Sequence, residues 1–294
     1  MKKTADYFKC ILPLICALGI QIAVATAGMI AYFAVNVLIM TGQGKTMDEI
    51  VEKTLYLSPD INLLVSMLAS IACLAVFYFW YRRLSGDTGS MKIRGMFPVK
   101  TAGTIVILGV ALQASVAWIL TMISNAVPNL FDGYNELMES ITGGNMLLML
   151  IFTGIVAPFS EELIFRGVLL KKASKIMPLA AANVFQAVMF GIYHMNWIQG
   201  IYAFVLGMFL GMVFIKYGSI YHAILLHMVF NISNAVLNGF LTKMPDMAAM
   251  IVSTILFAVS AVVIAFVSRN MLKTVVIEKD FEKCEEQCYD KGEK

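Results

Sequence analysis

Charge is what this chain has least of. Only 14% of its 294 residues are Asp, Glu, Lys or Arg, and the formal net charge is +3. So small a surplus offers no basic face for nucleic acid, and so few charges cannot clothe a water-facing surface of this length. Cysteine supplies no framework either: Cys10, Cys16 and Cys73 lie in or beside apolar runs, and Cys284 and Cys288 lie in a polar tail. That spacing is not that of a disulfide-stapled module. Internal repeats and low-complexity linkers are missing, which favours one integral membrane domain over residues 1–294. What is abundant is hydrocarbon: 60% of residues are hydrophobic and the mean hydropathy is +0.79. Disordered and collagenous chains are excluded, and the lipid bilayer becomes the expected solvent.

A helix needs about 20 apolar residues to cross a bilayer core, and about eight runs meet that length. They extend roughly from Cys10 to Met40, Ile61 to Tyr81, Ala102 to Val127, Asn145 to Leu170, Pro178 to Met195, Trp197 to Tyr217, Ser219 to Leu241 and Ala248 to Val267. The expected fold is therefore all-α, a polytopic transmembrane helix bundle. The first run resembles a signal peptide, with Ala25-Thr26-Ala27 like a cleavage site, but it stays apolar beyond it and reads as a retained, tilted helix. Basic residues cluster in alternate connections: Lys2, Lys3 and Lys9; Arg82, Arg83, Lys92, Arg94 and Lys100; Lys171, Lys172 and Lys175; Lys216; and Arg269 onward. By the positive-inside rule both termini are expected in the cytoplasm and 127–144 outside. The loop with Gly86, Gly89, Gly95 and Pro98 reads as a hinge, and 278–294 as a solvated, mostly disordered polar cytoplasmic tail.

Against this background the ionisable groups inside the spans stand out. Glu161, Glu162 and Arg166 fall in one apolar run, and His194, His222 and His227 in two others. Hydrocarbon makes an isolated charge cost several kcal/mol, about 3 on insertion scales, so such groups pair, face a polar cavity or do chemistry. Glu162 and Arg166 are i and i+4 on one helix face, the spacing of a buried ion pair. Glu161 points about 100° away, leaving it open as a structural partner of another helix or as a catalytic base. Pro158 is expected to kink the span beside it. Asn183, Gln186, Phe190 and His194 form one stripe at helical spacing, and His227, Asn231, Asn234 and Asn238 form another. Each must face protein; together with a glutamate they suggest a shared polar pocket. His222, on a different face from His227, reads as an interfacial or packing histidine, and Gly207 with Gly211 as a close helix contact.

The motifs E-E-x-x-x-R (Glu161, Glu162, Arg166), F-x-x-x-H (Phe190, His194) and H-x-x-x-N (His227, Asn231) resemble, in order and spacing, the type II CAAX prenyl endopeptidases. They equally resemble the Abi or CPBP intramembrane proteases. The resemblance implies a catalytic motif core over 145–241 and peptide hydrolysis within the membrane. It implies that Glu161 and His194 activate water, that His227 and Asn231 donate hydrogen bonds to the oxyanion, and that Glu162 and Arg166 brace them. It also implies a possible metal site: Glu161, His194 and His227 are a carboxylate and two imidazoles, like a catalytic zinc set, although H-E-x-x-H is lacking. Metal-dependent and glutamate-only chemistry both stay open, with the metal-independent route preferred because an amide at Asn231 suits an oxyanion better than a soft cation. The implied substrate is a membrane-associated peptide or protein, and the implied location a bacterial plasma membrane. Two other classes remain: a catalytically silent scaffold or bacteriocin-immunity protein, and a proton-coupled transporter, whose expected internal repeat is missing. One tension is depth. Counting from the cytoplasmic ends places Glu161, His227 and Asn231 roughly 12 to 18 Å deep but His194 near 24 Å, at about 1.5 Å per residue.

Overall fold

The computed structural model describes residues 2–55, 57–85 and 98–289, with side chains for 8–55, 57–84 and 98–271. Among the described residues every regular element is helical. In chain order these are α1 (Lys2–Gly42), α2 (Met47–Thr54), α3 (Pro59–Ser85), α4 (Val99–Ala126), α5 (Asp132–Thr142), α6 (Met146–Ala173), α7 (Leu179–Tyr193), α8 (Trp197–Tyr217), α9 (Ile220–Leu241) and α10 (Asp246–Tyr289). Seven of them contain a stretch long and apolar enough to cross a membrane: α1, α3, α4, α6, α8, α9 and α10. The stretch expected to be the fifth span is the exception. Its helix has 15 residues and a length of about 22 Å, short of a bilayer core of about 30 Å. Pro178 precedes its first turn, and Met195, with a left-handed φ of 51°, turns the chain into α8 after His194. Large apolar side chains stand on the outside, Leu38 at 76% exposure and Phe79 at 71%, as lipid-facing helices require. This is an integral, multi-pass membrane protein.

Packing divides the chain into two compact units. The first comprises Met1–Lys92 and Ile123–Met208, the second Ile93–Met122 and Phe209–Lys294. In the first unit α1 lies on α3, where Gly28 makes room for Val65: a Cβ there would come within 2.8 Å of the valine Cγ2. The Asn145 amide N–H donates to Asp60 Oδ1 at 2.6 Å while the Asn145 side chain caps Leu148 N at 3.0 Å. These two bonds pin the start of α6 beside the start of α3. The α7 helix packs back on the C-terminal half of α6, and the short 174–178 turn makes them antiparallel neighbours. The 127–144 connection is not an open loop, since it holds a 3-10 turn at Pro128–Phe131 followed by α5.

In the second unit α4 and α9 approach closely at Gly109, whose Cβ would sit 2.7 Å from Val229 Cγ1. Trp118 of α4 stacks on Phe257 of α10 with centroids 4.2 Å apart, and its Nε1 donates to Thr254 Oγ1 at 3.1 Å. The α10 backbone is helical to Tyr289, through the start of the segment read from sequence as a polar tail. Its 44 residues contain neither glycine nor proline, and nothing in the sequence stops the helix where the apolar stretch ends. The side chains of Cys284 and Cys288, and the loop glycines 86, 89 and 95, lie outside the described residues.

Candidate active site

The glutamates sit on a helix that is not uniformly α. Within α6, Phe152–Val156 and Leu163–Leu170 are wound as π-helix, and the α turn between them, Ala157–Glu162, carries Pro158, Glu161 and Glu162. The sequence predicts a kink at Pro158. The structure instead sets the proline in the turn immediately after a widened one, where its missing N–H and its ring cost less. From Leu163 to Leu170 every residue is buried, so this stretch is enclosed by protein on all sides.

Glu162 and Arg166 form the expected ion pair, with Nη1 to Oε1 at 2.9 Å and both side chains at 0% exposure. Two further contacts complete the enclosure. Arg166 Nη2 donates to the Gly207 carbonyl at 3.2 Å, and its guanidinium carbon lies 4.6 Å from the centre of the Phe190 ring. Gln186 Nε2 donates to the same Gly207 carbonyl at 2.8 Å and to Asn183 Oδ1 at 2.8 Å, while Asn183 Nδ2 donates to the Met208 carbonyl at 3.1 Å. The amides of the first stripe are thus helix glue between α7 and α8. Glycine at 207 is what permits this approach, since a Cβ would meet Ala187 Cα at 3.1 Å and Phe190 Cδ1 at 3.2 Å.

Phe165 packs edge-on against Phe190 at 5.0 Å and against Tyr193 at 5.2 Å, which aligns the last turns of α7 with the middle of α6. One turn from Arg166 toward the start of α6 are Glu161 and Glu162. One turn from Phe190 toward the end of α7 is His194. Because the helices are antiparallel, these two steps run the same way and bring His194 level with the glutamates. The level of His194 is therefore set by the packing of Phe190 and Tyr193 on Phe165, and not by a count of residues from the start of α7. His194 Nδ1 lies 2.8 Å from the Phe190 carbonyl, an acceptor only, so Nδ1 carries a proton and donates it there. The Glu161 carboxylate lies within electrostatic reach of Arg166, Cys73, Tyr193 and Tyr202.

Three of these neighbours escaped the sequence analysis, because Cys73, Tyr193 and Tyr202 are unremarkable in apolar helices. Tyr202 meets Tyr134 of α5 edge-on at 6.4 Å, and Asn196 Nδ2 donates to the Gly133 carbonyl at 3.3 Å, so α5 is fastened beside α8. Burial pushes the Tyr134 phenol above its ordinary range, while its hydrogen bond with Tyr202 pulls the other way.

The second unit holds His227, Asn231, Asn234 and Asn238 along α9. His227 is buried and Asn231 half-buried. Asn234 Oδ1 accepts from Gln113 Nε2 of α4 at 2.8 Å and from Asn238 Nδ2 at 3.1 Å. Gln113 is another missed residue, and a lone amide in the apolar middle of α4 was the available signal. His222 stacks on Tyr217 with centroids 4.8 Å apart, a packing contact. Among the described residues no three His, Cys, Asp or Glu side chains are grouped to hold a metal ion.

The segment from two residues before the Asn145 cap of α6 to the middle of α9 encloses all three motifs. Residues 143–233 match the family model for type II CAAX prenyl endopeptidases, Rce1-like. The match thus runs from α6 to the middle of α9, about a third of the chain, and leaves α1 to α4, nearly all of α5, and α10 outside it. No curated protein and no solved structure matches the chain.

Proposed function

We propose that this protein is an intramembrane endopeptidase of the CAAX-protease type, acting on a membrane-associated peptide or protein. The observation that carries the reading is the Rce1-like match, which takes in Glu161, Glu162, Arg166, Phe190, His194, His227 and Asn231 together. The local geometry supports a division of labour between the adjacent glutamates. Glu162 is committed to Arg166, whereas Glu161 shares its level with His194. In the proposed reaction Glu161, assisted by His194, takes a proton from water as its oxygen adds to the scissile carbonyl carbon. His227 and Asn231 donate to the resulting oxyanion; the C–N bond then breaks and the amine departs with the proton. Water activation here needs only the carboxylate and the imidazole.

The test is hydrolysis of an internally quenched prenylated CAAX peptide by the purified protein in lipid micelles. Cleavage that disappears in Glu161→Gln is the expected result. A folded protein that cleaves nothing overturns the reading and leaves the silent scaffold or immunity role. We also propose the topology that the basic loops imply, with both termini cytoplasmic; seven crossings alone would put them on opposite sides, so the short α7 must also carry the chain across. Reporter fusions after Lys294 and within 127–144 should then report opposite compartments.

A further inference from the structure

The Tyr193 hydroxyl is held by a helix that no motif includes. Gln21 of α1 donates from Nε2 to the Tyr193 oxygen at 2.7 Å, across 172 positions of sequence. An amide in the middle of an apolar span costs free energy unless it is paired, and this one is spent on a single phenol. The bond also has a direction. With the oxygen accepting from Gln21, the phenolic proton must point elsewhere, and among the described residues no hydrogen bond has Tyr193 as its donor. The ring is fixed by Phe165 at 5.2 Å and by its neighbour His194 at 5.9 Å, and the residue is only 6% exposed.

The phenol belongs to a ring on the catalytic side of α6. Phe165 follows Glu161 by four residues on α6, roughly one turn along the same face, so a ring packed on Phe165 lies on the Glu161 side of the helix. The Glu161 carboxylate lies within electrostatic reach of the phenol. A neutral donor is suited to that position. It can hydrogen-bond an oxygen as negative charge builds on it and imposes no desolvated cation beside the carboxylate.

We infer that Tyr193 is a further catalytic residue, a hydrogen-bond donor to the scissile carbonyl oxygen as water adds, and that Gln21 is its positioning residue. This rests on the proposed endopeptidase reading. The proton stays on the tyrosine throughout; the hydrogen bond shortens as the carbonyl oxygen becomes an oxyanion and relaxes when the C–N bond breaks.

The experiment compares the parent, Tyr193→Phe, Gln21→Leu and the double variant on the quenched prenylated CAAX peptide, with Glu161→Gln as reference. Tyr193→Phe should lower kcat by about 10²-fold, the usual loss on removing one oxyanion donor, with KM nearly unchanged and thermal unfolding close to the parent's. Gln21→Leu should lose less, and the double variant should be no slower than Tyr193→Phe alone, because Gln21 acts only through the phenol. Parental kcat in Tyr193→Phe, or additive losses in the double variant, overturns the inference while leaving the endopeptidase reading intact if Glu161→Gln is inactive. A parent protein that cleaves nothing overturns both.

Discussion

The two polar networks differ in what they bury. Around α6 to α8 a full ion pair lies at 0% exposure, against a ring face and a backbone carbonyl that also accepts from Gln186. Along α4 and α9 the network is neutral: Gln113, Asn234 and Asn238 share hydrogen bonds through one amide oxygen, and Asn238 reaches the exterior. Charge in a low-dielectric setting requires every surrounding helix to be in place, whereas amides accept a partial partner at modest cost. The first network should therefore behave as a cooperative structural knot and the second as replaceable stitching.

Breaking the knot should give the largest effect. Glu162→Gln leaves Arg166 charged without its anion, and loss of one partner of a buried pair typically costs about 3 to 5 kcal/mol. Thermal unfolding in detergent should show it, and Glu162→Gln with Arg166→Met should recover part of the loss. A parental melting point for Glu162→Gln would remove the distinction between the networks.

Glu161→Gln should do the opposite, although it changes the neighbouring residue. Melting should stay near the parent's, while peptide hydrolysis falls by about 10²-fold or more, as expected for loss of a general base. Full turnover in this variant would reassign the carboxylate.

Gly207→Ala sharpens the comparison from the backbone side. Its new methyl would press on Ala187 and Phe190 and displace the carbonyl that serves both Arg166 and Gln186, for about 1 to 3 kcal/mol of destabilisation. Equal stability would mean that α7 and α8 separate freely, against the close contact seen. The smallest effect belongs to Gln113→Leu. Asn234 keeps its bond from Asn238, so the loss should be near 0.6 kcal/mol, about the average for interhelical hydrogen bonds in membranes. A loss as large as that of Glu162→Gln would show that the amide network is equally cooperative.

The charged half of the site was readable in advance because hydrocarbon makes each ionisable group conspicuous. Glu162 and Arg166 four residues apart allow essentially one arrangement, and it is the one found. Gln21, Gln113, Tyr193 and Tyr202 were not readable in that way. Amides and phenols are common in apolar helices, and their meaning depends on which helix faces them. The length of α7 was hidden for a related reason: apolar composition continues from Pro178 to Met195, while the helix starts at Leu179 and ends at Tyr193. Periodicity reports hydrophobicity rather than where caps and left-handed residues cut a helix.

Sequence alone determined that the chain is helical and lives in lipid, because 60% hydrophobic residues in long runs leave no other way to satisfy the backbone. It also determined that Glu162 and Arg166 pair, because their spacing and their surroundings are both local properties of one helix. Tertiary structure decided the rest. It placed π turns on either side of the Glu161 turn, brought the end of α7 level with that turn, opened the Gly207 carbonyl to Arg166 and Gln186, and set Gln21 against Tyr193. Such facts depend on contacts between residues distant in sequence, whose free energy is realised only when several helices have already packed.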